Sequence, residues 1–558
     1  MITYFETSSP IHEKLTRPFT VLTFRVFKQL MPTTLTLSQE VTLNRVINVL
    51  LHTSIAELVS IVGTQLLPTT DHPIITRAIT KVLFGVHPSH VEAAANGANR
   101  PHLIGLLCSL VACDERLNLN FLYFTWLIGL TSSETIVFHV PAVFMTLFLI
   151  CIQRIESRSK DNDTSKKSGR KNDEKLQCYT AINQLMPRFV IILGLTMTYI
   201  LGRFMLGVES INPGLYRKFQ HPFHEFTGVK RIINFAMVIA IHVLKAFQLD
   251  PIGEAHEYGF NSVPELRGVI TDARTIWIVF VYVGIVVSGL YCYHRSTRST
   301  LHYILFASWF VTLFPVSGFI PTGTFVAERL IIPSTVVVAI YFGGLLTYAS
   351  EQIIMCMPSS DNATSKRPRK YVKKISIMLS CILTLILVSL LSIKTTRRVG
   401  DWCDRTRLTE RTLEICPNNA KSNHEYAASV LASSNPPDVN RAKEYAEKAL
   451  SILPDFCSVH MTLAKIALME KNNAEYELGM AKAIPCADTH QEAMSDWSVY
   501  WQAMLQQAGN DKVRGEVISK YQEYMRVIVP ELRKSVAEWN KFLPEDKQID
   551  SAVLNQFG

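Results

Sequence analysis

Long apolar runs, separated by short polar or basic segments, occupy residues 43–393 of the chain. Each run is long enough, or nearly so, to cross the roughly 30 Å hydrocarbon core of a membrane as an α-helix. The predicted spans are residues 43–67, 72–90, 100–115, 117–131, 134–152, 188–206, 273–293, 300–316, 330–350 and 375–393. Several early runs are short and would need tilt or local thinning of the bilayer. The pattern therefore predicts a polytopic helical membrane domain over 43–393.

The pattern changes after residue 393, where the chain becomes polar and rich in helix-forming residues. Small and aromatic residues in 394–558 recur at spacings typical of tetratricopeptide repeats (TPRs). The matching positions are Tyr426, Ala427, Ala442, Ala449, Pro454, Leu463 and Ala464. One repeat is well formed and the next is degraded, whereas a stable stack needs about three repeats. We therefore predict an all-α protein in which a TPR-like α-solenoid, completed by divergent helices, follows the membrane domain.

The distribution of charge along the chain predicts a membrane topology. The chain has 558 residues, of which 48% are apolar, and a net charge of +9. Its Lys and Arg residues concentrate in two segments between apolar runs, 153–187 and 351–374, which is typical of cytoplasmic loops and not of a nucleic-acid-binding surface. Counting spans from these loops puts four segments together on the luminal side: 1–42, 87–100, 317–329 and 394–558.

Residues 207–272 test this topology, because they contain a further apolar segment at 231–248. If that segment crossed the membrane, the two ends of the region could not reach the same side. His242 and Lys245 also lie within it. We therefore interpret 231–248 as a re-entrant or interfacial helix within a luminal region.

Ionisable residues stand beside the predicted spans at several places. They are Arg17, His87, His90, Glu92, Arg100, Glu134, Glu328 and Arg329. Charges near the hydrocarbon core are costly unless they line a polar cavity or bind a charged group. The alternative is that residues such as Glu328 and Arg329 anchor helix ends among the lipid headgroups.

A metal site is the less favoured interpretation of the histidines. His87 and His90 have a spacing that can place two ligands on one helix face. Pro88 lies between them, however, and no Cys or second carboxylate completes a ligand set. We expect neither a metal nor a cofactor. Four cysteines of the C-terminal region could form disulfides in an oxidising compartment, in a pairing that the sequence leaves open: Cys403, Cys416, Cys457 and Cys486.

Five separated motifs resemble one known family. They include Arg-Pro-Phe-Thr-Val-Leu-Thr-Phe-Arg at 17–25, His-Pro-Ser-His-Val-Glu-Ala-Ala at 87–94 and Gly-Thr-Phe-Val-Ala-Glu-Arg-Leu at 323–330. Glu134 and the junction 402–421 add further matches, although Ser133 stands where the family has Lys. These strings are similar to those of the transmembrane and TPR-repeat-containing (TMTC-type) protein O-mannosyltransferases, which are endoplasmic-reticulum membrane enzymes of the GT-C class.

The resemblance implies transfer of mannose from dolichyl-phosphate mannose to Ser or Thr hydroxyls of secretory-pathway proteins, with cadherin-like domains as typical acceptors. The lipid-linked sugar would be a substrate and not a cofactor. Arg329, Arg100 and Arg17 would then bind the lipid phosphate. His87, His90, Glu92 and Glu328 would line the pocket, and Glu134 occupies a further family position.

The same resemblance raises a question about the front of the chain. In the family, a first transmembrane helix and an acidic pair precede the motif at 17–25, and nothing before Arg17 matches them. We therefore expect a truncated or divergent member whose residues 1–42 form a luminal loop with an interfacial helix. Glu6 and Glu13 are interpreted as solvated loop residues, so the catalytic base is not identified. The rival hypothesis is a non-catalytic membrane adaptor whose TPR domain binds a luminal partner.

Overall fold

The protein is built from α-helices, and no strand occurs among the residues that the structure describes. This structure is a computed structural model. It describes residues 17–540 apart from 32–34, 68–72, 163–169, 206–222, 224–225, 251, 257, 269–270, 320–325, 356–366, 434–435 and 487–488. Glu6, Glu13 and residues 323–325 of the motif at 323–330 therefore lie outside the described residues.

Thirteen helices precede the C-terminal region within the described residues. They are α1 (Pro18–Leu30), α2 (Leu37–Leu66), α3 (Pro73–Gly85), α4 (Val91–Ala95), α5 (Arg100–Ala112), α6 (Leu119–Ser132), α7 (Val140–Asn162), α8 (Arg170–Met205), α9 (Gly228–Ala246), α10 (Thr275–Arg295), α11 (Thr297–Phe310), α12 (Ile332–Met355) and α13 (Arg367–Asp401). Seven more form the C-terminal region, or tail. They are α14 (Arg405–Ile415), α15 (Ala420–Ser433), α16 (Val439–Ile452), α17 (Cys457–Met469), α18 (Asn473–Ala483), α19 (His490–Gln507) and α20 (Asp511–Asn540).

Six stretches of the described chain are helical, long and apolar enough to cross a membrane. They are Ser38–Leu66, Glu134–Glu156, Tyr179–Met205, Thr275–Arg295, Thr297–Val316 and Ile377–Asp401. The prediction of an all-α polytopic protein is confirmed.

Three of the remaining predicted spans, 72–90, 100–115 and 117–131, are shorter in the structure. Helices α3, α5 and α6 have 13 or 14 residues, which corresponds to roughly 20 Å at 1.5 Å per residue. Helix α3 ends at Gly85 because Pro88 holds the preceding His87 in an extended conformation, with ψ at 122°. Helices of this length span about two thirds of the hydrocarbon core. The turns after α3 and α6 are buried within the protein, at His87 to Glu92 and at Ser132 and Ser133.

The predicted basic loops are largely helical. Helix α7 continues to Asn162 and α8 begins at Arg170, while α12 continues to Met355 and α13 begins at Arg367. Lys, Arg, Gln and Glu have high helix propensity, so the spans extend past the apolar segment instead of ending there.

The largest core lies among α2, α3, α5, α6, α7 and α12. Trp126 is fully buried there and donates to Thr196 Oγ1 at 3.0 Å, which ties α6 to α8. Helix α10 is peripheral by contrast, since only 6% of its apolar stretch is buried against 61% for Glu134–Glu156. Its exposed Val, Ile and Tyr side chains form a surface suited to lipid.

Helix α9 covers the segment that we interpret as re-entrant or interfacial. His242 and Lys245 are buried within the protein, and α9 shares a separate core with the loop 252–266. The backbone N–H of Leu266 donates to Asn234 Oδ1 at 2.9 Å, fixing this loop along the helix. How α9 lies relative to a bilayer stays a prediction.

In the tail, α15 packs against α16 and α17 packs against α18. Ala427, Ala442 and Ala449 are completely buried in a shared core, which allows close approach of the helices. Cys457 and Cys486 form a disulfide, so the structure selects one of the pairings left open by the sequence. The packing is compatible with TPR-like hairpins, and the repeat family itself stays a prediction.

Candidate functional site

Among the described residues, the most deeply buried ion pair is formed by Glu328 and Arg398, which are 70 residues apart in the chain. Arg398, near the end of α13, donates from Nη2 to Glu328 Oε1 at 3.1 Å and from Nε to Oε2 at 3.3 Å. Their side chains are 1% and 0% exposed. Arg398 also donates to the carbonyl oxygen of Ala255 at 3.3 Å, which brings a third segment to the pair.

A second ion pair uses the neighbour of Glu328. The guanidinium of Arg329 lies 2.5 Å from Glu92 Oε1, and its backbone N–H donates to Oε2 at 3.1 Å. Glu328 and Arg329 are adjacent in the chain, but their side chains therefore contact different partners. They lie in a single 3₁₀ turn, Glu328–Leu330, where successive side chains point about 120° apart.

A third pair joins the beginning of α1 to the turn after α6. Arg17 Nε donates to Glu134 Oε2 at 2.8 Å, with side chains 26% and 37% exposed. The charges of this pair and of the Glu92–Arg329 pair all act on the half-buried His102. The two pairs therefore act electrostatically on one common residue, His102.

Arg100 is buried beside these pairs and contacts neutral groups. It donates to Asn48 Oδ1 at 3.1 Å and to Asn44 Oδ1 at 2.7 Å, and its guanidinium lies 4.3 Å from the ring centroid of Phe24. Asn48 in turn donates to the carbonyl oxygen of Ala93 at 3.1 Å. These contacts hold the turn that carries Glu92 against α1 and α2.

The two predicted histidines lie in contact with each other and with a third. His90 lies 2.8 Å from Thr335 Oγ1 and 2.9 Å from His52, while His87 Nε2 lies 3.1 Å from the carbonyl oxygen of Ala246. No group of three or more His, Cys, Asp or Glu side chains in the described part of the chain is arranged to hold a metal ion. The histidines act as hydrogen-bonding links between α2, α9 and α12.

An open cavity of about 670 Å³ lies next to the Glu328–Arg398 pair. Three segments form it: the end of α9 with its following loop, the end of α13, and α14. Its lining residues are Lys245, Gln248, Asp250, Gly253, Glu254, Lys394, Thr396, Arg397, Arg398, Gly400, Asp401, Arg407, Glu410, Arg411 and Glu414.

Some of the charges of this cavity are paired and others are not. Lys245 forms an ion pair with Asp250, and Arg411 forms one with Glu414. Lys394, Arg397 and Arg407 are exposed and make no side-chain ion pair among the described residues. The cavity can therefore bind an anionic group.

The carboxyl groups of the site differ in the direction in which their pKa is shifted. Burial opposes ionisation of Glu92, but the Arg329 guanidinium outweighs it and holds the pKa of Glu92 below its ordinary value. Burial raises the pKa of Glu328, against the charge of Arg398 and assisted by Glu254 and Glu92. Burial likewise raises the pKa of Glu254. Glu254 and Glu328 therefore have a higher proton affinity than an ordinary carboxylate near neutral pH.

Further contacts connect the segments that carry predicted site residues. Thr395 Oγ1 donates to the carbonyl oxygen of Val86 at 2.6 Å, bringing the end of α13 to the histidine turn. Arg45 donates to the carbonyl oxygens of Ala95 at 3.2 Å and Trp402 at 3.0 Å. The role proposed for Arg17, Arg100 and Arg329 as phosphate ligands stays a prediction, and each of them already contacts polar groups of the chain.

Four residues of this region were not predicted from the sequence as site residues: Lys245 as an ion-pair partner, Glu254, Lys394 and Arg398. A signal was available for two of them. Lys394 and Arg398 follow a span on the side opposite the basic segments, where positive charge is disfavoured unless it has another role. For Glu254, no sequence pattern distinguishes it from other loop carboxylates.

The chain is similar to a Caenorhabditis elegans protein named as a protein O-mannosyl-transferase, with 24% identity over 423 residues. The match covers 74% of this chain and 51% of the other protein, so the chain spans about half the length of the curated relative that it matches. No family model and no solved structure matches the chain. This distant similarity supports a relationship to O-mannosyltransferases in general, and the TMTC-type subfamily stays a prediction.

Proposed function

We propose that this protein is a membrane-embedded glycosyltransferase that transfers mannose from dolichyl-phosphate mannose to Ser or Thr hydroxyls of secretory-pathway proteins. The observation that carries the proposal is the buried Glu328–Arg398 pair at the wall of an open cavity with unpaired cations. Arg329, the next residue of the same turn, forms a second pair with Glu92. The similarity of the chain to a protein named as an O-mannosyl-transferase supports this class of reaction.

The chemistry of the reaction fits this arrangement. The acceptor hydroxyl must lose a proton as it attacks the sugar, and the departing lipid phosphate must be stabilised by cations. Lys394 and Arg397 are exposed in the cavity, and Arg398 is positioned by Glu328 at its wall. We assign the phosphate to this group of cations, with Arg17 and Arg329 as further electrostatic contributors.

The tail supports a location in the secretory pathway. Disulfides persist in oxidising compartments such as the endoplasmic-reticulum lumen, and Cys457 and Cys486 are bonded in the tail. Within this proposal the protein is an endoplasmic-reticulum membrane enzyme with a luminal tail, and the helical pairs of the tail bind the acceptor polypeptide. Cadherin-like β-sandwich domains are the proposed acceptors.

A transfer assay tests the proposal directly. The full chain in nanodiscs is incubated with dolichyl-phosphate mannose and a cadherin-type β-sandwich domain, and the acceptor is analysed by mass spectrometry for an added hexose on Ser or Thr. Dolichyl-phosphate glucose serves as the matched donor control. We expect transfer from the mannosyl donor only.

The adaptor hypothesis predicts a different result. An adaptor binds the acceptor domain through its tail but leaves its mass unchanged with either donor. Binding without transfer, in a preparation that unfolds cooperatively on heating, would overturn the transferase proposal and favour the adaptor.

A further inference from the structure

The cations of the open cavity that make no side-chain ion pair among the described residues lie on two of its walls. Lys394 and Arg397 are three residues apart in α13, so they lie on one side of that helix. Arg407 lies on α14, the first helix of the tail. Arg407 therefore contributes an exposed positive charge to the tail side of the cavity.

Helix α14 has one buried face and one exposed face. Leu408 and Thr412 are buried, and the backbone N–H of Arg407 donates to Asp404 Oδ2 at 3.2 Å, which caps the helix. The residues of the exposed face recur at helical spacing. They all line the cavity: Arg407, Glu410, Arg411 and Glu414. The cavity is therefore bounded on this side by a charged helix face.

Hydrogen bonds hold α14 on both sides. Towards the membrane domain, Thr412 Oγ1 accepts from the backbone N–H of His256 at 3.1 Å. Towards the rest of the tail, Glu410 Oε1 accepts from Tyr426 Oη at 3.1 Å. The charged face is therefore kept in place between the loop after α9 and α15.

The carboxyl groups of the cavity leave its free cations without a matching set of partners. Three of these carboxylates already form ion pairs: Asp250 with Lys245, Glu414 with Arg411 and Asp401 with Arg398. Burial raises the pKa of Glu254, so this group carries less negative charge near neutral pH than an ordinary carboxylate. Positive charge is therefore left over on both walls.

We propose that Arg407 selects acceptors by binding an acidic side chain close to the Ser or Thr that receives mannose, an inference that rests on the function proposed above. The lipid phosphate is assigned to cations of α13, so Arg407 is left for the polypeptide, which the tail binds. A guanidinium can form two parallel hydrogen bonds with one carboxylate. It repels a basic residue at the same place, and this repulsion gives selectivity.

Transfer kinetics with a matched set of acceptors test this assignment. The full chain, in nanodiscs of neutral phosphatidylcholine, receives dolichyl-phosphate mannose and one β-sandwich domain whose positions flanking the modified hydroxyl are Asp, Asn or Lys. Wild type should show an acceptor KM about three- to fivefold lower with Asp than with Asn. Arg407→Gln should abolish this preference, Arg407→Lys should keep part of it, and Arg407→Glu should shift it towards Lys.

Arg405→Gln is the matched control. Arg405 is an exposed cation of the same helix but does not line the cavity, so this variant should keep the wild-type preference. The donor KM of every variant should stay within about twofold of wild type, because the phosphate is assigned to the other wall. The preference should weaken in salt, since the Debye length falls from about 10 Å at 0.1 M to about 3 Å at 1 M.

Failure of this inference is distinguishable from failure of the proposed function. A wild type that transfers mannose with equal KM for the three acceptors, or an Arg407→Gln variant that keeps the preference, overturns only the role of Arg407. A dependence on anionic lipid in the nanodisc instead of on acceptor charge assigns Arg407 to the membrane surface and overturns it too.

A wild type without transfer overturns the proposed function. Acceptor binding measured without donor then decides whether Arg407 recognises acidic residues. Tighter binding of the Asp form, lost in Arg407→Gln, supports recognition by Arg407, whereas equal affinities for the three forms overturn it.

Discussion

Arg398 and Glu328 form an ion pair that is almost completely shielded from solvent, with Nη2 3.1 Å from Oε1. The pair connects the last membrane helix to the turn before α12, and the Ala255 carbonyl oxygen attaches the Glu254 loop to it. Removing one partner of such a pair leaves an isolated charge in a medium that solvates it poorly.

We therefore expect Arg398→Met or Glu328→Gln to lower the free energy of unfolding by about 3–5 kcal/mol. The double variant should lose less than the sum of the single variants, because it leaves no unpaired charge. Thermal unfolding of the purified protein in detergent measures all three. Lys443→Met removes a partly exposed pair with Glu470, and its effect should stay within about 1 kcal/mol. Additive losses in the double variant would contradict the coupling.

Arg17 should behave differently, because its pair with Glu134 is partly exposed. Arg17→Gln is expected to change stability by no more than about 1 kcal/mol. If Arg17 contributes to binding the lipid phosphate as proposed, loss of its charge should lower kcat/KM of transfer about tenfold. Unfolding and transfer assays on the same preparation separate the two effects. If the two measurements fall together, Arg17 is structural and its predicted role in the site is wrong.

The disulfide between Cys457 and Cys486 closes a loop with a sequence separation of 29 residues. Its removal in the double variant Cys457→Ser/Cys486→Ser should destabilise the protein by about 3–4 kcal/mol, mainly by freeing the unfolded chain. Unfolding of wild type with and without dithiothreitol provides the comparison. Cys403→Ser changes an exposed free cysteine and should respond to the reductant as wild type does. An unchanged Tm on reduction would contradict the bond.

The tail should lose stability in acid through His424. This side chain lies 2.8 Å from Thr462 Oγ1, and burial together with Arg405 lowers the pKa of His424 from 6.5 to about 4. Between these values the unfolded chain binds more protons than the folded one, so stability decreases as pH falls from 6.5 towards 4. Thermal unfolding across this range should show a weaker dependence for His424→Gln. An equally steep dependence would assign it to other groups.

The sequence indicates where charges gather, because ionisable residues beside apolar runs stand out. It does not indicate which residues pair. Glu328 and Arg329 are adjacent in the chain, yet they contact Arg398 and Glu92 respectively. Their partners are set by the direction in which each side chain leaves a 3₁₀ turn and by where distant helices end, and neither property is visible in local composition.

Ten spans were predicted, and six stretches of the described chain are long and apolar enough to cross a membrane. An apolar sequence indicates that a segment is kept away from water. It does not distinguish a short helix buried within the protein, such as α5, from a helix that faces lipid. The cavity could not be anticipated either, since it depends on how α14 approaches the loop after α9.

The loop after α9 also forms hydrogen bonds with the beginning of α15. The N–H of Ala420 donates to the carbonyl oxygen of Phe260 at 3.1 Å, and Asn419 Nδ2 donates to Ser262 Oγ at 2.6 Å. The tail is consequently not a detachable module. A protein cut after residue 403 would keep its apolar helices but lose α14, which forms one wall of the cavity that Glu254 lines. Deleting the tail would therefore also change the surface of the membrane region.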